Sequence, residues 1–449
     1  MNRYETALSS SKVLRPVKTP GKSYRGTLER LLRGDLNFHE ENGNYATHNL
    51  HAFAAKFPPQ IPRTFITNLT SEGEVILDPM VGSGTTIIEA LLLNRKAIGL
   101  DLDPLSIRIN RAKLICLGHI DISPSVDRVI TKAEELLEQA AKLEAERKHR
   151  FDSASLEFIN YWFLPRTQQE LLSLILAIED EPDSDVRQVL ELIFSSTIVT
   201  KSGGVSMARD LAHSRPHMDL TKIPKNAVEE FRKRARRFVK ELSQFPKIFG
   251  DARVENGDAR HMEIPSNSVD LVVTSPPYAN AIDYMRAHKF SLVWFREPIS
   301  QLSDLRAKYI GSERIGKLSK RVLPPKTLEI IHNVTEKDAK KAKILHKYYS
   351  DMEETLEETY RVLKPGRVAI IVIGSSTMRG LDVKTHECLA EIANFVGFEV
   401  VGLSKRQLDR NRRMMPARFK GNGDSQIENR IHEEYVLGLI IPESLNHAK

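Results

Sequence analysis

The sequence predicts an α/β fold, in which a Rossmann-like, doubly wound and mainly parallel sheet carries a mostly helical insertion. Short apolar runs alternate with segments of helical periodicity, a pattern typical of a parallel sheet covered on both faces. A glycine-rich turn directly after the first run supports this fold, because such turns lead from a parallel strand into a helix. The predicted strands are Val75–Asp78, Lys96–Asp103, Arg253–Asp258, Val269–Thr274, Arg367–Gly374, Phe398–Leu403 and Glu434–Ile441.

The first predicted strand ends at Asp78 and is followed by a tight turn and a helix. Pro79 comes next, and Gly82-Ser83-Gly84 then permits backbone conformations that other residues rarely adopt. The helix begins at Thr85-Thr86, and its free N–H groups suit a carboxylate or another anion. The spacing is neither that of the dinucleotide fingerprint nor that of the P-loop, so neither of these phosphate-binding modes is favoured.

The second predicted strand, Lys96–Asp103, places an acidic residue near its end. Asp101 lies where doubly wound nucleotide-binding folds hold ribose hydroxyls with a carboxylate. The segment from Leu105 to Leu117 then has helical periodicity. The glycine-rich turn and the acidic strand end together favour a nucleotide-like ligand at this edge of the sheet.

The strand Val269–Thr274 ends in a corner made of Ser275, Pro276, Pro277 and Tyr278. The two prolines donate no N–H and fix φ near about −65°, so a strand ladder cannot continue through them. Ser275 Oγ and the carbonyls of Ser275 and Pro276 are expected to face outward, with the ring of Tyr278 just beyond them. Oxygen acceptors beside an aromatic face suit a planar substrate with an exocyclic amine. A proline-rich turn after a buried strand is the alternative interpretation.

With both motifs present, the chain resembles the S-adenosylmethionine-dependent DNA amino-methyltransferases, which methylate cytosine at N4 or adenine at N6. The resemblance covers roughly residues 45–115 and 250–442, and it includes the segments Ala54–Pro59, Asp283–Phe290 and Arg361–Gly366. The cofactor motif precedes the catalytic motif here, whereas many relatives with this glycine-rich turn carry the opposite, permuted order. The subclass is therefore left open by the order of the motifs.

The resemblance implies that S-adenosyl-L-methionine is the cofactor. The glycine-rich turn would hold its methionine part, Asp101 its ribose and Asp258 its adenine amine, although Asp258 is otherwise explained as a turn carboxylate. Ser275 and the Pro276 carbonyl would accept from the target amine, with Tyr278 stacked on the base. The implied cofactor-binding residues are Lys56, Phe57, Asp78, Pro79, Gly82, Ser83, Gly84, Thr85, Thr86, Asp101 and Asp258, and the catalytic residues are Ser275, Pro276, Pro277 and Tyr278.

Four regions are predicted along the chain. Residues 1–44 form a loose basic arm with a short helix near Thr27–Leu32, residues 45–117 the cofactor-binding half of the methyltransferase domain, and residues 118–250 a helical insertion that is a candidate DNA-recognition element. Residues 251–449 form the catalytic half. Within it, residues 296–350 carry 13 Lys or Arg and 6 Asp or Glu, an excess that equals the formal net charge of +7.

This positive charge is compatible with double-stranded DNA as the partner. Phosphate contacts are expected in the segment 306–347 and in the basic helix around Arg232–Lys240, although a solvated charged face is the usual alternative for such runs. A cognate restriction endonuclease is a further candidate partner. The sequence indicates no oligomeric state.

Composition excludes several other classes of protein. Cys116 and Cys388 are the only cysteines, so a disulfide framework and a cysteine-rich zinc site are excluded. Neither cysteine lies near the Ser-Pro-Pro-Tyr corner in sequence, which argues against the cytosine-C5 mechanism and its cysteine nucleophile. The 14 histidines show no metal-ligand spacing, and no metal is expected. No apolar stretch of about 18 residues and no signal peptide is present, so a cytoplasmic protein without a membrane span is expected.

The target is expected to be cytosine N4 in duplex DNA, because Ser at the first position of this corner is more often associated with that product. Adenine N6 is the alternative, as is an RNA base amino-methyltransferase on the same fold, since such an enzyme needs the same corner. A non-catalytic nucleic-acid-binding protein is less favoured because the motif set is intact. Methylation of a protein amide is less favoured because Ser275 stands where those enzymes carry Asn.

Overall fold

The computed structural model describes residues 23–39, 41–200, 204–209, 211, 216–245, 248, 250–279, 283–313, 321–408 and 433–443. The strands, in chain order, are β1 (Val75–Asp78), β2 (Lys96–Asp101), β3 (Ala208–Arg209), β4 (His217–Met218), β5 (Ala252–Asn256), β6 (Val269–Thr274), β7 (Leu363–Gly374), β8 (Thr377–Met378), β9 (Leu381–Asp382), β10 (Glu399–Gln407) and β11 (Glu433–Ile440). Seven of them form the central sheet, in the order β5-β2-β1-β6-β7-β11-β10. β11 runs antiparallel to its neighbours β7 and β10, and the other pairs are parallel. The predicted doubly wound, mainly parallel sheet is confirmed.

Helices accompany nearly every strand of this sheet. In chain order they are α1 (Tyr24–Leu32), α2 (Gln60–Leu69), α3 (Thr85–Leu92), α4 (Pro104–Leu117), α5 (Ser123–Leu137), α6 (Ala140–Arg150), α7 (Ser153–Trp162), α8 (Pro165–Glu179), α9 (Ser184–Ile198), α10 (Ala227–Leu242), α11 (Met285–Leu292), α12 (Ile299–Lys308), α13 (Pro325–Thr335), α14 (Ala339–Val362) and α15 (Thr385–Val396), with a 3-10 turn at Val293–Phe295. None of these described helices is long and apolar enough to cross a membrane.

The sheet is covered on both faces, which explains why its central strands are rich in apolar residues. All six residues of β6 are buried. Because successive side chains of a strand point to opposite faces, Leu271 and Val273 pack in one core with α1 and α2, whereas Val272 packs in another with α14 and α15. A strand with two buried faces has no polar alternation, so the run Val269–Thr274 was recognisable from the sequence by its length and its boundaries.

Part of the predicted loose arm is instead a packed helix. Leu28 and Leu31 of α1 are fully buried, and α1 lies against β10 and β11. The approach is close, since a Cβ at Gly438 would lie only 2.7 Å from Leu32 Cδ1. The short helix expected near Thr27–Leu32 is thus present as α1, whereas the expectation that this part of the arm is loose is wrong. Residues 1–22 lie outside the described part of the chain.

The segment between β2 and β5 is mostly helical and shares a core with the rest of the protein. Residues of α5 to α10 pack in one cluster with α4 and α11. The chain is broken between α7 and α8, because Pro165 cannot continue the preceding helix and instead begins the next one. Phe163, which follows α7, is buried, whereas Tyr161 of α7 is 59% exposed.

Much of the predicted basic segment 296–350 is neutralised within the protein. Arg306 pairs with Asp283, Lys347 with Asp351, Arg321 with three glutamates of α14, and Lys341 with Glu313. Residues 314–320 lie outside the described part. In α14, Lys340 and Lys343 are exposed and have no ion pair among the described residues. The basic helix α10 has a similar division, since Arg232, Arg234 and Arg237 pair with glutamates whereas Lys233, Arg236 and Lys240 are exposed.

Candidate active site

A cavity lies at the carboxyl ends of β1, β2 and β6, at the point where the strand order of the sheet reverses. Ligands of open α/β sheets bind at this position. The space between its walls is about 980 Å³, a figure that includes open solvent. Of the residues predicted for the site, it is lined by Lys56, Phe57, Pro79, Gly82, Ser83, Thr85, Asp101, Asp258, Ser275 and Pro277.

The glycine turn, Gly82-Ser83-Gly84, joins β1 to α3 and forms one wall. Gly82 has a φ of 47° and Gly84 a φ of 83°, values in the left-handed region that favours glycine. Gly84 also has no room for a side chain, because a Cβ there would lie 1.8 Å from Oδ1 of Asn110. The turn thus brings the N-terminus of α3 to the cavity with backbone alone.

Asp101 ends β2 and contributes a carboxylate to the cavity wall. Its oxygens accept hydrogen bonds from the amides of Gly82 (2.9 Å) and Asp103 (2.9 Å), and the hydroxyl of Ser106 lies 2.8 Å away. Burial and the neighbouring Asp103 raise the pKa of Asp101 to about 6. At neutral pH the group is ionised, and it remains available to hydroxyl donors of a ligand.

Three of the predicted cofactor residues lie behind the cavity wall. Asp78 is 1% exposed and accepts from the hydroxyl of Thr274 at 2.7 Å, which ties β1 to β6. Burial raises its pKa to about 6. Thr86 is also buried and donates to the carbonyl of Val273 at 3.1 Å. Gly84 packs against Asn110, whose side chain fills the space where a Cβ of residue 84 would lie. These residues hold the turn and the corner in register and are not part of the cavity lining.

Lys56 and Phe57 close the cavity from the segment before α2. Lys56 Nζ donates to the carbonyl of His48 at 2.9 Å and to the side-chain oxygen of Asn49. Phe57 is 7% exposed and packs with the core under β1. The position predicted for this segment agrees with the structure.

The corner after β6 presents only part of what the sequence suggested. Ser275 and Pro277 are half-buried and line the cavity, whereas Pro276 and Tyr278 are buried and do not. The expectation that Tyr278 presents an exposed ring is wrong in this structure. Its hydroxyl donates to Glu434 of β11 at 2.7 Å.

Glu434 belongs to a buried network that holds Tyr278 in this position. Its second oxygen pairs with Arg406 of β10, a residue that is 1% exposed. The guanidinium also donates to the carbonyls of Leu36 (3.0 Å) and Asn37 (3.3 Å). Burial and the Glu434 carboxylate hold the pKa of Tyr278 well above its ordinary value, so the hydroxyl remains a donor.

Asp258 lies across the cavity, just beyond the end of β5. Arg260 binds both of its oxygens, at 2.9 Å and 2.7 Å, and also pairs with Asp351 of α14 at 2.9 Å. Burial acts to raise the pKa of Asp258, but the hydrogen bonds and charge of Arg260 hold it below its ordinary value. The carboxylate is therefore fixed and ionised, with Arg260 competing for its acceptor positions.

Several lining residues were not assigned from the sequence. Tyr284 and Phe53 meet in the wall with ring centroids 5.3 Å apart, and Arg306 is fixed by Asp283 at 2.6 Å. Asp103 accepts from His288 at 2.6 Å, which links β2 to α11. The segment Asp283–Phe290 resembles the family in sequence, but no role in the site was predicted for it. The resemblance was therefore the signal that could have placed this segment beside the cavity.

The cavity fits S-adenosyl-L-methionine by the chemistry of its walls. The glycine turn offers a helix N-terminus to the amino-acid carboxylate, Asp101 offers acceptors to ribose hydroxyls, and Phe57 and Phe53 offer apolar surface. Ser275 lies in the same cavity with an acceptor for an amine. Among the described residues no three His, Cys, Asp or Glu side chains cluster in a way that could hold a metal ion.

Comparison with known proteins identifies the family. The model of a DNA methylase family matches residues 17–111 and 269–426, which is more than half of the 449 residues. Helices α5 to α10 lie between the two matched segments.

Two curated relatives align along most of the chain. The Type II methyltransferase M.MvaI of Kocuria varians is 24% identical over 386 residues, which are 80% of this chain and 83% of the relative. The Type II methyltransferase M.BsoBI of Geobacillus stearothermophilus is 21% identical over 416 residues, which are 81% of each chain. Among solved structures, a TehB-like SAM-dependent methyltransferase from Corynebacterium glutamicum is 11% identical, with a TM-score of 0.28, and the match covers 85% of this chain and 86% of that one.

Proposed function

This chain belongs to the DNA methylase family, and from that premise we propose that it methylates the N4 amine of cytosine in double-stranded DNA. Membership of this family identifies the chain as a DNA amino-methyltransferase that uses S-adenosyl-L-methionine. The base, the position and the roles of individual residues are the proposal. The observation that carries it is the single cavity in which the glycine turn, Asp101 and Ser275 meet.

In the proposed complex the cofactor lies along the ends of β1 and β2. The glycine turn and Thr85 face its methionine part, Asp101 accepts from its ribose, and Lys56 and Phe57 close over it. Asp258 faces its adenine, with the acceptor capacity that Arg260 leaves free. This arrangement follows the lining of the cavity and the direction of the strands.

Transfer to an exocyclic amine requires positioning and electrostatics rather than a covalent intermediate. When bound, the cofactor supplies an electrophilic methyl group on a sulfonium. Ser275 Oγ accepts from the amine at the cavity wall, which favours a tetrahedral nitrogen whose lone pair can attack. The Pro276 carbonyl, which is buried and does not line the cavity in this structure, adds a second acceptor only if DNA binding uncovers it together with Tyr278. The corner's prolines keep these acceptors rigid, and the buried contacts of Asp78 with Thr274 and of Thr86 with Val273 fix the corner relative to the turn.

A base inside a duplex cannot reach this cavity, so the target base must be flipped out, at a cost of a few kcal/mol. Stacking on an aromatic residue offsets that cost. Tyr278 is the residue of the corner with this chemistry, and it serves as a stacking surface only if DNA binding uncovers its ring from the position held by Glu434. Tyr284 and Phe53, which already line the cavity, supply additional aromatic surface.

Cytosine N4 is favoured over adenine N6 by the residue at the first position of the corner. The hydroxyl of Ser275 is a neutral and weaker acceptor than the carboxylate found in many adenine enzymes, so the two corners polarise an amine differently. Adenine N6 is the second candidate, because both amines have similar geometry. The exocyclic amine of an RNA base is the third candidate. For such an enzyme, the RNA-binding surface would be expected in the helices α5 to α10.

The relatives' description as Type II methyltransferases supports a role beside a restriction endonuclease of the same specificity. In this role the enzyme acts in the cytoplasm, where its DNA lies. The helices α5 to α10, between the segments that match the family, are the candidate element for reading the DNA sequence. The exposed Lys233, Arg236 and Lys240 of α10 would contact phosphates.

The substrate class is tested by transfer of a radiolabelled methyl group from the cofactor to duplex DNA, single-stranded DNA, tRNA and total protein. We expect label in duplex DNA only. Ser275→Ala should abolish most of the incorporation while cofactor binding persists, and Ser268→Ala, which removes a hydroxyl in the loop before β6, should leave it unchanged. Label in tRNA or protein and none in DNA would contradict the proposal.

A further inference from the structure

Lys113 is a buried lysine whose ammonium group has no carboxylate partner within the described ranges of the chain. Its side chain is 1% exposed. Nζ donates to the carbonyl of Ser83 at 2.7 Å and lies 3.4 Å from the carbonyl of His48. Burying an ammonium group without a counter-ion is costly, and burial, with Lys56 as a second cause, lowers the pKa of Lys113 well below its ordinary value.

Lys113 belongs to a polar stripe on the face of α4 that lies against the glycine turn. Ser106, Asn110 and Lys113 are spaced four and three residues apart, so they share one side of the helix. The Ser106 hydroxyl lies 2.6 Å from the carbonyl of Gly82, and Asn110 Nδ2 donates to the same carbonyl at 2.9 Å. Lys113 adds the bond to the next carbonyl along the turn. All three side chains are buried.

Ser106 and Asn110 fix the direction of the Gly82–Ser83 peptide. Lys113 fixes the next peptide, whose N–H, that of Gly84, donates to the carbonyl of Val81 at 2.8 Å and closes the turn. Because a trans peptide is planar, a carbonyl that points toward α4 places the N–H of the same peptide on the opposite side. The carbonyl of Gly82 is bound to α4, so the amide of Ser83 points away from the helix. Ser83 lines the cavity. The stripe on α4 and the missing side chain at Gly84, into whose place Asn110 projects, therefore belong to one arrangement.

We propose that Lys113 is a positioning residue for the cofactor, which acts through Ser83 to hold the glycine turn in the conformation that receives the cofactor carboxylate. Ser106 and Asn110 support the same turn one residue earlier. Lys113 touches no cofactor atom in this arrangement. The identity of the ligand rests on the proposed function, whereas the contacts of the stripe with the turn do not.

A positioning role and a purely structural role predict different effects of the same substitution. Lys113→Met keeps the aliphatic stem and removes the buried ammonium. If Lys113 positions the turn, the Kd for S-adenosyl-L-methionine should rise about tenfold, the scale expected for losing one buried hydrogen bond to the turn. The midpoint of thermal unfolding should not fall, because the cost of burying an amine without a counter-ion is removed as well.

The experiment combines calorimetric titration of the cofactor, thermal unfolding without cofactor, and steady-state kinetics with duplex DNA. For Lys113→Met we expect the KM for the cofactor to rise in parallel with its Kd. The kcat at saturating cofactor should stay within about twofold of the wild-type value, and the KM for DNA should not change. This pattern is expected when a substitution weakens cofactor binding equally in the ground state and the transition state. A lowered unfolding midpoint together with an unchanged Kd would overturn the proposal.

Ser106→Ala and Ser196→Ala form a matched pair that decides the question if Lys113→Met yields no folded protein. Each removes a buried hydroxyl that lies within 2.7 Å of a backbone carbonyl, that of Gly82 for Ser106 and that of Ile193 for Ser196. Only the first carbonyl belongs to the glycine turn. Both are measured in an Asp101→Asn background, because the Ser106 hydroxyl also lies 2.8 Å from the Asp101 carboxylate. Weaker cofactor binding with Ser106→Ala alone supports the proposal, and equal binding in the two variants contradicts it.

The failure of the proposed function would be recognised separately. The titrations contain cofactor and protein without DNA, so the comparison between Lys113→Met and the wild type stands even if no DNA amine is methylated. Loss of DNA methylation in the wild type would contradict the proposed function, whereas only the cofactor affinities of the variants bear on Lys113.

Discussion

Replacing Glu434 with glutamine should destabilise the protein, because this carboxylate holds two buried groups together. Arg406 is 1% exposed, and without the carboxylate its guanidinium retains only the carbonyls of Leu36 and Asn37. Breaking a buried ion pair from one side costs about 3–5 kcal/mol. The amide oxygen of glutamine still accepts from Tyr278 or Arg406, so we expect a loss near the lower end, about 3 kcal/mol.

Urea unfolding of single and double variants measures this value. Arg406→Met combined with Glu434→Gln leaves neither charge unpaired, so the double variant should recover most of the stability, with a coupling energy of about 2 kcal/mol or more. Glu241→Gln is the control, since the Arg237–Glu241 pair is exposed and is worth less than about 1 kcal/mol. Additive losses in the double variant would refute the assignment of a buried network.

The same network should affect methyl transfer only through Tyr278. We expect Glu434→Gln to raise kcat in the wild-type background, measured where the variant is still folded, because it weakens the bond from which DNA binding must release Tyr278, while cofactor affinity stays unchanged. In a Tyr278→Phe background, which lacks the hydroxyl that Glu434 accepts from, the same substitution should have little further effect on kcat. Equal effects in both backgrounds would show that Glu434 acts on the reaction by another route.

Three further predictions follow from the cavity and its surroundings. Asp101→Ala should weaken cofactor binding by roughly 1.5–3 kcal/mol in calorimetry. Because the pKa of Asp101 is raised to about 6, the affinity of the wild type for the cofactor should fall as the pH drops from 7 to 5 and the carboxylate is protonated. Asp101→Asn should flatten this pH dependence, and the same pH profile in Asp101→Asn and the wild type would contradict the role of Asp101 as the ribose acceptor. Tyr278→Ala should reduce turnover with DNA by the loss of stacking worth about 1–3 kcal/mol while cofactor titrations remain as in the wild type; normal turnover would make the residue purely structural. Replacing the exposed Lys340 and Lys343 with glutamine should lower the slope of log affinity for DNA against log salt by about 1–2, and an identical slope would mean that α14 presents a solvated face to water.

The elements that frame the cavity were predictable because their signals are local. The strand Val269–Thr274 is mostly apolar and is followed by Ser275 and two prolines, and β1 is closed by Asp78 and the glycine turn. The turn itself could be recognised because glycine is favoured in the left-handed region, where Gly82 and Gly84 lie with φ values of 47° and 83°. In these cases the residue types near one another in sequence determine the local structure.

Non-local contacts explain what the sequence did not reveal. Tyr278 is buried because its acceptor, Glu434, lies 156 residues away in sequence and on an adjacent region of the sheet. The basic segment has less free charge than its composition suggests, because partners such as Asp283 for Arg306 come from elsewhere in the chain. The pairings of Tyr278 and Arg306 depend on the fold and are not encoded in a local pattern. The binding of Arg260 to both oxygens of Asp258 is different, because Arg260 lies only two residues away in sequence and the pair was not considered.

The central claim is that this cavity directs methylation to the exocyclic amine of cytosine in duplex DNA. Its most direct test is nucleoside mass spectrometry of plasmid DNA methylated in vitro by the purified protein, followed by mapping of the modified position at base resolution. We predict N4-methylcytosine at one recurring sequence, and its absence when Ser275→Ala replaces the wild type. DNA that contains only N6-methyladenine would contradict the assignment of the base, and DNA with no methylated amine would contradict the proposed reaction.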